Sequence, residues 1–218
     1  MHGSSDDAMW LRWKAHIASA YESTCYGTGA VGRVSLAGHE LLERSLSSES
    51  EFRRVLEVGG GGYDHRPHVR HRFTEYVRSD IDARTLGGRG CQCDGRALPF
   101  QTGAFDRLIS IYNLEHLLEP HLVLKEWARV VRPGGVLSIA IPTEGGVAWG
   151  LGRHLTTRRH FRRLGFDYDY ILAREHVNSC SRLVALIRHY FPARQESWYP
   201  LRVPSAHLNL VFAVTVTR

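Results

Sequence analysis

The first fifty residues carry apolar side chains at helical spacing. Between residues 8 and 22 the large apolar side chains recur every three or four positions, which predicts an amphipathic helix. These residues are Met9, Trp10, Trp13, Ile17 and Tyr21. After a glycine-rich link at 27–32, Ser35 is a suitable N-cap for a second helix that presents Leu42 and Leu46. We therefore expect a helical cap over residues 1–50.

From residue 54 onward, short apolar runs alternate with polar and glycine-containing segments. Runs of this length, rich in Val, Ile and Leu, predict buried strands. Five such runs lie at 54–58, 75–80, 90–93, 106–112 and 135–141. The clearest helix between them is 120–131, and a Pro-Gly-Gly sequence directly after it ends the helix. Strands that alternate with helices predict right-handed crossovers and a parallel sheet.

The last part of the chain has a different pattern. A helix is predicted at 179–191, followed by strands at about 194–199 and 207–217. The segment 143–178 is too long for an ordinary connection between elements, and we interpret it as a lid or specificity insertion. The expected organisation is one domain with four parts: a cap at 1–50, a core at 51–142, a lid at 143–178, and a C-terminal helix and β-hairpin at 179–218.

The composition agrees with a folded enzyme-sized domain. The chain has 218 residues, 43% of them apolar, which is enough for a sizeable core. No run approaches 18 apolar residues, and the polar first residues lack the apolar segment of a signal peptide, so we expect no membrane span and a cytoplasmic location. The four cysteines, Cys25, Cys91, Cys93 and Cys180, lack zinc-site spacing, so no metal is expected.

The strand at 54–58 runs directly into four glycines at 59–62. Glycines after a buried strand let the backbone approach a ligand closely. Dinucleotide sites need a third small residue where this chain has Asp64, which argues against NAD or FAD. Glu57, two residues before the first glycine, suits a ligand with an ammonium group. S-adenosylmethionine (SAM) carries that group and has no pyrophosphate, so it fits this loop better.

Five motifs then follow one another at ordinary spacing. They are VLEVGGG at 55–61, YVRSDID at 76–82, CDGRALPF at 93–100, the strand and its exit at 105–117, and EWARVVRPGG at 126–135. Together, residues 52–142 resemble the class I SAM-dependent methyltransferases, particularly the small bacterial type. The resemblance implies an α/β, Rossmann-like sheet of seven mostly parallel strands with the last strand antiparallel and helices on both faces. One departure is Tyr63, which stands where the family often has a third alternate glycine.

The resemblance also implies a set of cofactor-binding residues. Gly59, Gly60 and Gly61 would pass close to the methionine part of SAM, and Glu57 would order the loop beneath it. Asp80 would accept hydrogen bonds from the ribose hydroxyls, with Asp82 as its rival. The remaining positions are Ile81, Asp94 and Gly95 around the adenine and Asn113 at the mouth of the fourth strand.

Two histidines are candidates for acid–base catalysis. His116 lies one turn beyond Asn113, where a neutral imidazole can take a proton from the acceptor; the alternative is a histidine that packs beneath the lid. His176 precedes the last long helix, either facing the acceptor or capping that helix. Methyl transfer needs mainly positioning, because SAM carries the activated group, so a dedicated base is optional.

The acceptor must be inferred from the lid. The net charge is +6, and residues 153–163 contain five arginines and no acid. We interpret these arginines as an anion-binding surface for a phosphate, a nucleotide sugar or an acidic glycan. The alternative for this segment is a solvated helix face. For the net charge of the whole chain, the alternative is a compositional bias toward arginine. The substrate candidates are Arg158, Arg159, Tyr170 and Glu175.

The sequence thus predicts a SAM-dependent methyltransferase that modifies a hydroxyl or amine of a small molecule or glycan. The last 45 residues loosely resemble methyltransferases that decorate sugars. An RNA-directed enzyme is the alternative, because arginine with aromatic residues also suits single strands. The chain has Tyr112-Asn113-Leu114 instead of the Asn-Pro-Pro-Tyr of exocyclic-amine enzymes, so that nucleic-acid class is disfavoured. A SAM-binding regulatory protein without turnover is the third hypothesis.

Overall fold

The computed structural model describes residues 3–87 and 90–218 and contains one seven-stranded sheet in the order β3-β2-β1-β4-β5-β7-β6. The strands are β1 (Glu51–Val58), β2 (Arg72–Asp80), β3 (Cys91–Gln92), β4 (Phe105–Ile111), β5 (Val131–Pro142), β6 (Arg194–Tyr199) and β7 (Val211–Thr217). The pairs from β3 to β5 are parallel, and β7 runs antiparallel to both β5 and β6. The predicted Rossmann-like sheet with an antiparallel last strand is therefore confirmed.

Seven helices accompany the sheet in the described part of the chain. They are α1 (Gly3–Cys25), α2 (Ala30–Arg44), α3 (Pro120–Val130), α4 (Val147–Leu155), α5 (Thr157–Arg163), α6 (Tyr168–Glu175) and α7 (Cys180–Tyr190). The predicted start of the second helix at Ser35 is wrong. The helix begins at Ala30 with Gly29 as N-cap, and Ser35 lies inside it. The glycine-rich link is shorter than expected because its last residues are already helical.

The two faces of the sheet are covered unequally. On one face α3 and α7 pack against Leu56, Leu108 and Leu137 in the main apolar core. On the other face a smaller apolar cluster contains Leu42 of α2 and Val55 of β1. Among the described residues of the β1–β2 and β2–β3 connections, the helical structure consists of single turns of 3-10 helix, Arg66–His68 and Ala83–Leu86. The second face therefore depends on α2 to cover it.

The cap and the lid meet in a third apolar cluster. Trp13 of α1 is 3% exposed and packs edge-on against Phe161 of α5, with ring centroids 4.8 Å apart. Phe166 and Ile171 complete the buried part of this cluster. The indole Nε1 of Trp13 also donates a hydrogen bond of 2.9 Å to Glu175 Oε1 at the end of α6. The N-terminal helix is thus attached to the 143–178 insertion, above the carboxyl ends of the strands.

Candidate functional site

The glycine loop leaves β1 in a backbone conformation that few other residues adopt. Gly59 and Gly61 have φ angles of +72° and +47°. A Cβ on Gly59 would lie 2.2 Å from Asn113 Cγ, so the exit of β4 packs directly against the loop. The Gly61 N–H donates a hydrogen bond of 2.8 Å to Asp80 Oδ2. The sequence-predicted residues Gly59, Gly61, Asp80 and Asn113 therefore form one connected group.

Replacing Gly59 with alanine tests this close approach. We expect Gly59→Ala to lower the free energy of unfolding by more than the roughly 1–2 kcal/mol that a left-handed conformation costs an L-residue. Gly87→Ala is the matched control, because Gly87 has φ +56° but has no atom within 4 Å of the added Cβ. Urea denaturation measures both variants. Equal losses would contradict a steric role for Asn113, whereas Asn113→Ala should partly rescue Gly59→Ala.

Glu57 lies beneath the loop and stabilises it indirectly. Glu57 is 4% exposed, and its carboxylate accepts hydrogen bonds from the Tyr76 hydroxyl at 2.9 Å and the His65 N–H at 3.3 Å. Arg78 Nε lies 3.5 Å from Glu57 Oε2, and Arg78 Nη2 donates to the carbonyls of Gly60 and Gly61 at 2.9 and 3.1 Å. Burial raises the pKa of Glu57 to about 7, although Arg78 opposes the shift. Sequence reasoning missed Arg78, whose only signal is its position opposite Glu57 in the β1–β2 register.

The two acids after β2 differ in their surroundings. Asp80 Oδ1 accepts a hydrogen bond of 2.8 Å from the Asp82 N–H, so both its oxygens hold the loops at the sheet edge. Asp82 forms an exposed pair with Arg84, 2.6 Å between Oδ2 and Nη2. Ile81 between them is 68% exposed. Asp80 thus faces the loop, and Asp82 faces away toward its own arginine.

The loop after β3 carries the second pair of predicted residues. Asp94 forms a two-pronged ion pair with Arg96, with a shortest distance of 2.6 Å. That hydrogen bond lowers the pKa of Asp94. The carbonyl of Gly95 accepts a hydrogen bond of 2.9 Å from Trp127 Nε1 of α3. The loop is therefore fixed to the helix, with the Asp94 carboxylate held in its ionised form.

A cavity of about 190 Å³ lies between the cap, the lid and the carboxyl ends of β4 and β5. Aromatic side chains form most of its wall, namely Trp13, Tyr26, Trp149, Phe161 and Tyr168. Its floor contains Tyr112, which follows β4 with φ +50° and donates from its hydroxyl to the Val34 carbonyl at 3.0 Å. Strained residues of this kind concentrate at functional sites. Because Tyr112 is next to Asn113, the cavity adjoins the glycine loop.

Glu115 is the buried acid of this cavity. Its side chain is 2% exposed, and its Oε2 atom has no hydrogen-bond partner. Burial raises the pKa of Glu115 to about 7, while the nearby imidazolium of His176 opposes the shift. An unsatisfied buried carboxyl oxygen is costly, so its presence needs an explanation. Sequence reasoning singled out the neighbouring His116 and missed Glu115.

His116 and His176 both line the cavity and are in contact, with ring centroids 4.5 Å apart. His116 Nδ1 lies 2.9 Å from the Glu175 carbonyl, which can only accept, so Nδ1 carries the proton and Nε2 is free to accept. Burial lowers the pKa of His116 to about 3, and the charge of His176 adds to that shift. Burial disfavours charge on His176 as well, but its hydrogen bond to Glu144 and the surrounding acids raise the pKa.

Three of the four predicted substrate residues lie outside the cavity lining. Arg158 pairs with Asp169 at 2.5 Å, Arg159 is exposed, and the Tyr170 hydroxyl accepts from Arg174 at 3.0 Å. Glu175 does line the cavity. The arginines of the segment 153–163 therefore lie outside this cavity, although Thr157 and Phe161 of the same segment line it. The cavity combines apolar walls with two acids and two histidines.

The sheet order, the glycine loop and the acids after β2 and β3 are those of a class of SAM-binding α/β enzymes, and the cavity beside the loop provides room for a second substrate. Among the residues at 3–87 and 90–218, no group of three or more side chains is arranged to hold a metal ion. In the same ranges no helix is both long and apolar enough to cross a bilayer.

Comparisons with known proteins agree with this class. Residues 56–139 match a family model described as a methyltransferase domain. An uncharacterized methyltransferase of Mycobacterium sp. (strain JLS) is 32% identical, and the match covers 76% of this chain and 75% of the relative. A ubiquinone/menaquinone biosynthesis C-methyltransferase of Nitrosospira multiformis is 29% identical over 56% of this chain and 58% of that protein.

Among solved structures, a SAM-dependent methyltransferase of Thermotoga maritima, described as a possible histamine N-methyltransferase, shares the fold. It superimposes with a TM-score of 0.59 at 16% identity, covering 96% of this chain and 98% of that chain. The chain described here belongs to the SAM-dependent methyltransferases, and SAM is its cofactor.

Proposed function

We propose that the methyl acceptor is a small, largely apolar molecule that binds in the aromatic cavity and presents a hydroxyl or amine to Glu115. The single observation that carries this proposal is the unpartnered Oε2 atom of Glu115, buried in the wall of a cavity lined mainly by apolar and aromatic side chains. An acceptor O–H or N–H satisfies that oxygen, whereas a phosphate or carboxylate would be repelled by it. The Arg158 and Arg159 side chains, which suggested an anionic acceptor, do not reach this space.

The cofactor is assigned to the loop beside the cavity. Gly59 and Gly61 allow close approach of its methionine part. The Asp80 carboxylate accepts hydrogen bonds from the ribose hydroxyls, and the Asp94 carboxylate accepts one from the adenine amine. Gly60, Ile81, Gly95 and Asn113 complete the predicted set, and Glu57 acts beneath it through Arg78. When bound, SAM supplies a methyl group activated by its positively charged sulfur.

The chain's own residues then position the acceptor and take its proton. The aromatic walls exclude water and orient the ring or chain of the acceptor. The Glu115 carboxylate would accept the proton that the acceptor oxygen or nitrogen loses when the methyl group is transferred from sulfur, with S-adenosylhomocysteine as the leaving group. His116 is neutral, and its Nε2 lies 3.9 Å from Glu115 Oε1, so it packs beside Glu115 and helps to position it, while the proton stays on Glu115.

Carbon methylation is the second candidate. The relative from Nitrosospira multiformis is named as a C-methyltransferase of ubiquinone/menaquinone biosynthesis, although the match covers only about half of this chain. Deprotonation of a ring hydroxyl by Glu115 activates the adjacent ring carbon, so the same residues serve either outcome. Mass spectrometry of the product distinguishes a methyl ether from a ring methyl group.

An acceptor screen tests the proposal. The protein is incubated with methyl-labelled SAM and three pools: phenols and apolar amines, sugar phosphates with nucleotide sugars, and RNA. We expect label only in the first pool, with none in the O-methylated phenols used as matched controls. Label confined to either other pool would refute the acceptor class. Calorimetry with S-adenosylhomocysteine tests the cofactor site separately from the acceptor. If the protein binds S-adenosylhomocysteine but labels the wrong pool, only the acceptor class is wrong. If it does not bind S-adenosylhomocysteine, the cofactor assignment is wrong.

A further inference from the structure

Helix α4 exposes its apolar side chains to solvent. Val147, Leu151 and Leu155 recur every four residues on one side of the helix and are 69%, 59% and 50% exposed. No residue of α4 is buried, although the helix is apolar overall. Trp149 lines the cavity from the other side of the helix, so the exposed stripe is not part of that cavity. Exposed apolar side chains aligned along one side of a helix are typical of interaction surfaces.

Helix α5 follows α4 directly in the chain and exposes positive charge. Its one buried residue is Phe161, and Arg159, Arg162 and Arg163 share the opposite, exposed side. Within the part of the chain that the structure describes, these three guanidinium groups form no ion pair, in contrast to Arg158, which is held by Asp169. The segment 145–166 contains five arginines and no acid.

A neighbouring loop exposes three further apolar side chains. Leu201, Val203 and Leu208 are 57%, 45% and 50% exposed. The loop is joined to the start of α4 by a hydrogen bond of 2.9 Å from the Ala148 N–H to the His207 carbonyl. We call the combination of Val147, Leu151 and Leu155 with Arg159, Arg162 and Arg163 the outer lid face.

The pairing of apolar and cationic side chains narrows the choice of partner. A single-stranded nucleic acid would engage the arginines but leave the leucine stripe in water. A second copy of the chain would bury the stripe but bring two arginine faces together, at an electrostatic cost. An anionic bilayer satisfies both halves, since the apolar stripe enters the acyl boundary and the guanidinium groups meet lipid phosphates.

We propose that the outer lid face docks the protein on the surface of anionic lipid membranes. The protein lies on such a membrane without crossing it, with α4 and α5 parallel to the interface. Arginine side chains are suited to this position because their apolar stems lie along the boundary while the charged ends stay at the headgroups.

Vesicle flotation measures the predicted binding. The full chain is mixed with vesicles of phosphatidylcholine containing about a third phosphatidylglycerol, and with vesicles of phosphatidylcholine alone. We expect binding to the anionic vesicles that weakens as salt rises, and much weaker binding to the neutral ones. Leu151→Gln and Arg159→Glu should each lower the partition coefficient by about 10-fold.

The matched controls carry the same changes away from the lid. Leu122→Gln replaces an exposed leucine on α3, and Arg182→Glu reverses an exposed arginine on α7; circular dichroism checks that every variant folds. We expect both controls to bind as the unmodified chain does. Absence of vesicle binding, or equal losses in the lid and control variants, would overturn the proposal. So would concentration-dependent dimerisation or RNA binding that depends on Arg159 and Arg162 without any vesicle binding.

Discussion

Glu115→Gln is expected to lower kcat by about 10²–10⁴-fold, the range that a positioned acid–base group contributes. Glutamine preserves the shape of the side chain and can still accept a hydrogen bond, but it cannot take a proton. The affinity for S-adenosylhomocysteine should be unchanged, because Glu115 lines the cavity and not the glycine loop. Turnover of the acceptor identified in the screen and calorimetry with the cofactor product measure the two quantities.

The pH profile separates proton transfer from a structural role of Glu115. With a pKa of about 7, Glu115 is protonated in acid and ionised in base, so kcat/KM should rise through neutral pH and then level off. His116, His176, Glu144 and Glu175 surround it and set the exact position of that rise. The Gln variant should lose the rise.

Glu175→Gln is the comparison variant, because it makes the same change in the same cavity at an acid whose Oε1 already accepts from Trp13. The amide oxygen of glutamine keeps that hydrogen bond. We therefore expect a loss of less than about 10-fold, equivalent to one ordinary hydrogen bond. A larger loss than that of Glu115→Gln would move the acid–base role to Glu175.

The centre of the sheet was predictable because β1, β4, β5 and β7 are largely buried and read as nearly continuous apolar runs. All seven strands occur where the sequence indicates them, and 194–199 matches β6 at both ends. The last strand starts at Val211, not 207, because 201–209 forms a loop tied by the Asn209 side chain to Leu201 and Val203. A loop held by hydrogen bonds between a side chain and the backbone produces no periodic pattern in the sequence, so its start could not be predicted.

The acceptor side of the site was less predictable than the cofactor side. The glycine loop and Asp80 stand next to strand ends, so their positions follow from the topology of a parallel sheet. The cavity is assembled from α1, α5, α6 and the β4 exit, which are distant in sequence. The clustered arginines in 153–163 led to the prediction of an anion-binding site there, but the buried residue of α5 in that segment is Phe161. Charge density along a helix does not reveal which side faces the ligand.

Strand β4 contains a fully buried arginine that the sequence analysis did not predict. Arg107 is 0% exposed, lies 2.7 Å from Glu43 Oε1 of α2, and donates from Nε to Ser138 Oγ at 3.1 Å. Glu43 Oε1 also contacts His65 Nε2 at 3.0 Å, in the segment that follows the glycine loop. Burial works against the Glu43 carboxylate, but His65 and Arg107 outweigh it and lower its pKa to about 2. The Arg107–Glu43 pair, together with His65, connects α2, β4 and the segment after the glycine loop on the sheet face that α2 covers.

Arg107→Met is therefore expected to lower the free energy of unfolding by about 3–5 kcal/mol, because it leaves a buried carboxylate without its charge partner. Glu43 stabilises the fold above its unfolded pKa near 4.5 and loses that contribution as pH falls toward 2, so the deficit of the variant should be full at pH 7 and smaller at pH 4. Urea denaturation at both pH values measures it.

Arg54→Met provides the matched control, since Arg54 pairs with Glu75 on the neighbouring surface at 2.7 Å with both side chains substantially exposed. Exposed pairs contribute at most about 1 kcal/mol, so this variant should remain close to the unmodified chain. The double variant Arg107→Met/Glu43→Leu should recover part of the loss, because it removes both charges together. Equal losses for Arg107→Met and Arg54→Met would show that the buried pair contributes no more than a surface one. Conversely, a loss confined to the buried pair, accompanied by weaker binding of S-adenosylhomocysteine, would show that α2 holds the glycine loop in place through Glu43 and His65.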